Sequence, residues 1–109
     1  MDSGWQEITN SAYSGTIYIR KIGNIVTVFA TNLRLASDLT SSYRTFGTNI
    51  LADYAPLSVI SFWAGNLSKI GQLRISNSGG VNFFKTDGAT WTGGTNGDTI
   101  TFSGTYMVG

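Results

Sequence analysis

Two stretches of this sequence set flat aromatic rings beside groups that can each grip two hydroxyls. The first is Asp87 to Asp98, DGATWTGGTNGD, where Trp91 stands among Asp87, Asn96 and Asp98 on a glycine-rich run. The second is Tyr43 and Arg44 taken with Asp53 and Tyr54. An aromatic face suits the apolar side of a sugar ring, while carboxylates, amides and guanidinium groups are planar and pair with neighbouring hydroxyls. Saccharide recognition is the chemistry these types could perform. Each also has a plainer use. Trp91 could be a loop anchor tucked into the core, Asp87 and Asn96 each precede a glycine as turn residues do, and the second set could be packed aromatics with a surface ion pair.

Catalysis fares worse. The chain has no His and no Cys, which removes the usual general base, the Ser-His-Asp and Cys-His arrangements, thiolate metal sites and disulfides. A glycosidase needs two carboxyls about 5 to 9.5 Å apart. The acids are Asp2, Glu7, Asp38, Asp53, Asp87 and Asp98, and all but Glu7 fall in loop or turn context. Asp87, Asn96 and Asp98 could offer oxygen to calcium, but their spacing fits no defined calcium loop. No enzyme, metal or cofactor is expected. The seven basic residues are scattered, with Arg20 and Lys21 the largest cluster, so a nucleic-acid partner is not expected either. No apolar run nears the roughly 18 residues of a membrane span, and membrane insertion is not expected.

The frame that must hold these groups is legible from alternation. Gly15 to Thr31, GTIYIRKIGNIVTVFAT, reads as two strands folded about Gly23 and Asn24, a two-residue hairpin turn. That turn sets Ile22 opposite Ile25, Arg20 opposite Thr27, Ile19 opposite Val28, Tyr18 opposite Phe29 and Ile17 opposite Ala30. Ile17, Ile19, Val26, Val28 and Ala30 then share one aliphatic face, which must be core. The other face carries Tyr18, Ile22, Ile25 and Phe29 and is oilier than a wet sheet surface. Its cover is either a second sheet of the same chain or a neighbouring copy.

Further along, Trp5 to Thr9 is a short edge strand, with Trp5 packing that edge or a neighbouring subunit. Ala36 to Thr48 reads as loop that could include a helical turn, and Ile50 to Pro56 as a boundary or edge, since its proline cannot donate to a central ladder. Ser58 to Ala64 alternates, with Trp63 on the side away from Ile60, Phe62 and Ala64 and expected to be buried or interfacial. Gly71 to Ser76, Val81 to Phe84 and Thr99 to Val108 complete the strands, the last with Ile100, Phe102, Tyr106 and Val108 inward. Seven or eight short strands with turn signals between them predict one all-β domain over 1–109, an antiparallel sandwich or jelly-roll-like fold. Only 12% of residues are charged, so solubility rests on neutral hydroxyls and amides. The abrupt Met-Asp-Ser-Gly opening suggests a C-terminal fragment of a longer protein.

Three segments, GTIYIRKIGNIVTVFATNLRL, APLSVISF and TITFSGTYMVG, resemble the C-terminal receptor-binding head domains of bacteriophage tail fibres, baseplate fibres and minor structural proteins. The likeness runs from Trp5 to Gly109 and is carried by sheet and turn residues. It implies an all-β head at a virion fibre tip that forms a homotrimer, joins other fibre or baseplate proteins and binds host cell-surface saccharide. Relatives of this kind carry a Gly-Tyr-Arg-Pro type segment, matched here by Asp53-Tyr54-Ala55-Pro56. Ala55 lacks the basic group, while Tyr54 and Pro56 keep the turn. Trimerisation would bury Tyr18, Phe29, Ile22, Ile25 and Trp5 between copies. Two rivals remain: a trimerisation module that binds no ligand, and a monomeric carbohydrate-binding module of a bacterial protein.

Overall fold

The computed structural model describes residues 2–86 and 90–108, and in it the chain forms eight antiparallel strands and almost no helix. One layer holds β1 (Gln6–Asn10), β2 (Tyr13–Ile22), β3 (Ile25–Leu35) and β8 (Thr99–Met107). The other holds β4 (Tyr43–Gly47), β5 (Ile60–Gly65), β6 (Ile70–Ile75) and β7 (Val81–Lys85). Hydrogen bonding runs in the order β1-β2-β3-β8-β5-β6-β7-β4, so the layers share one edge and curl into a nearly barrel-shaped sheet. That shared edge is a single residue pair, Gly65 opposite Thr101. Within the second layer β5, β6 and β7 meander and β4 lies beside β7, a Greek-key arrangement.

The first hairpin has the register its turn demands, with Ile22 opposite Ile25, Tyr18 opposite Phe29 and Ile17 opposite Ala30. Gly23 sits at φ 60°, the left-handed conformation that glycine adopts without a Cβ penalty. Ile17, Ile19, Val26, Val28 and Ala30 are all at most 1% exposed. They pack with Leu73, Ile75, Val81 and Phe83 of the second layer and with Ile100 and Phe102 of β8. Burying each Ile, Val, Leu or Phe of this set contributes about 1.5 to 3 kcal/mol before chain entropy is set against it. Tyr13 and Tyr106 enter the same core with their hydroxyls satisfied. Tyr13 donates to the Ile8 carbonyl at 2.8 Å and Tyr106 to the Tyr54 carbonyl at 2.7 Å. Burial pushes the Tyr13 hydroxyl up to about 12 and that of Tyr106 higher still.

Three local expectations need correction. The stretch 36–48 is not all loop: Tyr43–Gly47 is a strand, β4, paired with β7. Only Phe46 of it is fully buried, so alternation had too little length to show. Among the described residues the one helical turn is a 3-10 turn at Ala52–Tyr54, inside the segment read as an edge. Trp63 is 67% exposed on the outer face of β5, so its burial within this chain is excluded.

Candidate functional site

The stretch 87–98 does not present its tryptophan. Trp91 is fully buried, edge-on to Phe83 at 4.9 Å between ring centroids. Its backbone bridges Leu39, donating to the Leu39 carbonyl at 3.2 Å and accepting from the Leu39 amide at 2.8 Å. Trp91 is therefore the loop anchor, with no ring face left for a sugar. The Asp98 carboxylate accepts from Lys69 Nζ at 2.7 Å and from the Thr92 amide at 2.8 Å. Lys69 also donates to the Thr90 carbonyl at 2.7 Å, so one ammonium clamps the 90–98 loop to the turn between β5 and β6. Asn96 is exposed, and Asp87 lies outside the described residues. Among the described residues no three His, Cys, Asp or Glu side chains gather closely enough to hold a metal ion.

The Lys69 ammonium holds the Asp98 carboxyl below the usual carboxylate range, opposed by burial and helped to a lesser degree by the Thr92 amide. The folded chain thus binds this proton less tightly than the unfolded chain. The clamp stabilises at neutral pH, and that contribution is lost as pH falls below about 4. Asp98→Asn is expected to flatten the acid limb of a melting-temperature profile. An unchanged acid limb would refute the clamp.

The second stretch does not form one cleft. Tyr43 begins β4 and stacks on Phe84 at 5.2 Å, while Arg44 reaches the Asp38 carbonyl at 3.1 Å. Asp53 and Tyr54 lie beyond the other end of β4, beside the β6–β7 turn, where the Leu51 amide donates to the Gly79 carbonyl at 2.9 Å. Four residues of extended strand, about 13 Å, separate the two ends. Asp53 is exposed, and Tyr54 is half-buried with its carbonyl engaged by Tyr106.

The oily side of the first hairpin is not covered by the second layer. Tyr18 stacks on Phe29 at 5.1 Å, and Trp5 meets Phe29 edge-on at 5.2 Å. Arg20 lies over the Trp5 ring at 5.9 Å and pairs with Asp2, whose carboxyl it holds down at about 2. Ile22, Ile25 and Met107 continue this face and stay largely exposed, Ile25 standing opposite both of them in the sheet.

Beyond the single bridge between Gly65 and Thr101, β5 and β8 part, and clefts open on both sides of Trp63. One, of about 700 Å³, is lined by Trp63, Leu67, Ile70, Asn32, Asn66 and Thr101 among others. The other, of about 460 Å³, lies between Trp63, Gln72, Ser61 and Ser103. Asn32 reaches the first cleft through an irregularity in the β3 ladder between Ala30 and Leu33, with φ 56°, a conformation that asparagine tolerates better than most residues. Asn66 fixes the opposite wall. Its Nδ2 donates to the Thr99 carbonyl at 2.9 Å, while its Oδ1 accepts from the amides of Ser68 and Lys69. The result is an exposed indole flanked by amides and hydroxyls on a rigid sheet. The alternation of β5 set it on the side away from Ile60, Phe62 and Ala64 without showing that it is exposed, and its partners come from β3 and β8, which no local pattern could bring to it.

This is the fold of a phage receptor-binding head domain. Among solved structures, the head domain of lactococcal phage bIL170 matches with a TM-score of 0.64 at 16% identity, covering 95% of this chain and 96% of that one. That structure was described in asking whether the receptor-binding domains of lactococcal phages share a common fold. No protein-family profile and no curated protein matches the chain.

Proposed function

We propose that this chain is the receptor-binding head of a phage tail protein and attaches to host cell-surface saccharide through the Trp63 clefts. The observation that carries the reading is an indole 67% exposed on a rigid strand, ringed by Asn32, Asn66, Thr101 and Gln72, on a receptor-binding head fold. Such a surface stacks on a sugar ring and meets its hydroxyls with neutral donors and acceptors. In this reading it works by binding alone. Each site is weak, because neutral contacts largely replace water, and attachment strength comes from several heads acting together.

Trp63→Ala is expected to abolish binding on an array of bacterial surface glycans while the melting temperature stays within about 2 °C, since exposed substitutions away from special features change stability little. Full binding by that variant would overturn the site.

The exposed face of Trp5, Tyr18, Phe29, Ile22, Ile25 and Met107 supports the second half of the reading, a homotrimer held through this face. Phe29→Asp would put a charge among these rings and is expected to reduce the native mass in light scattering from three chains to one. A wild-type mass of one chain would refute the trimer and favour a monomeric binding module.

A further inference from the structure

We infer that the ligand of this site is an extended glycan strand and that it lies across β5, β6, β7 and β4. The inference rests on the saccharide reading of the Trp63 clefts. Trp63 stands opposite Gln72, Gln72 opposite Phe84, and Phe84 opposite Tyr43, so one continuous rung of outward side chains crosses all four strands. With strands about 4.8 Å apart, the rung is about 14 Å long. Rings stand at both ends and polar groups between them. Arg74 lies over Phe84 at 4.2 Å, and Tyr43 stacks against the same ring.

Charge decides among occupants. Arg74 is exposed and finds only Gln72 Oε1, at 3.5 Å, among the described residues, and it joins neither of their ion pairs. A guanidinium held flat on a ring complements an oxygen-rich chain and repels a basic peptide. A second copy packed on this face would strip water from the Arg74 guanidinium, and the row of Trp63, Gln72, Phe84 and Tyr43 around it offers no carboxylate in return, which is costly. A glycan meets the row in kind, with apolar ring faces for Trp63 and Tyr43 at its ends and hydroxyls for Gln72 and Arg74 between them.

The test uses the polysaccharide that the glycan array selects, cut by partial acid hydrolysis into fragments from monosaccharide to hexasaccharide and titrated into the whole protein. Affinity is expected to rise by roughly a hundredfold from monosaccharide to tetrasaccharide and then level off, as the second ring and the guanidinium each add about tenfold. Tyr43→Ala is expected to shrink that ratio at least fivefold. Arg74→Gln, which leaves the rings in place, is expected to shrink it about tenfold. Equal affinity for short and long fragments would overturn the inference and leave the Trp63 site standing. Binding by no fragment would remove the reading on which it rests, and the inference with it.

Discussion

Replacing Trp91 by alanine is expected to remove about 4 kcal/mol of stability, enough to lower the melting temperature on the order of 20 °C. The indole is wholly enclosed, edge-on to Phe83 and beneath the Lys69 ammonium at 5.6 Å, so truncation leaves a large void that a closed core cannot refill. The same change frees the 90–98 loop, because the Leu39 bridge and the Lys69 clamp close over that ring. Trp91→Phe keeps a ring in the slot and is expected to recover more than half of the loss. Thermal melts of the two variants check this. A Trp91→Ala protein that melts like the wild type would mean that the ring is not the anchor.

Alanine at Gly79 is expected to cost about 3 kcal/mol, combining a left-handed backbone with a crowded site. Gly79 has φ 88°, and a Cβ there would fall 2.5 Å from the Ala52 nitrogen and the Leu51 carbonyl carbon. Those are backbone atoms of the 3-10 turn and cannot swing aside. Gly94 provides the control. Its φ of 85° is nearly the same, but nothing lies within 4 Å, so Gly94→Ala should cost only about 1 kcal/mol. Denaturant unfolding of the pair separates crowding from backbone strain, and equal losses would refute the crowding.

Those two sites mark what the sequence could and could not reveal. The first hairpin was legible to the residue, because a two-residue turn fixes register and register fixes which side chains are enclosed. The inward sets of β6 and β8 followed from the same alternation. β4 was hidden because it gains its status from β7, far away in the chain. The loop around Trp91 looked like a ligand loop because glycine, threonine and asparagine serve anchored and exposed loops alike. The contact with Phe83 that decides the matter is long-range. For Tyr43 and Tyr54, composition suggested a shared cleft, and the length of β4 keeps them apart.

The continuous ladder leaves two free rims, β1 and β4, and each is only five residues long. Glu7 sits on one and Arg44 on the other, so each rim carries a charge along a short run of open backbone groups. Short charged borders resist zipping to a stranger's strand. Many copies of this domain can therefore be crowded side by side without their sheets fusing.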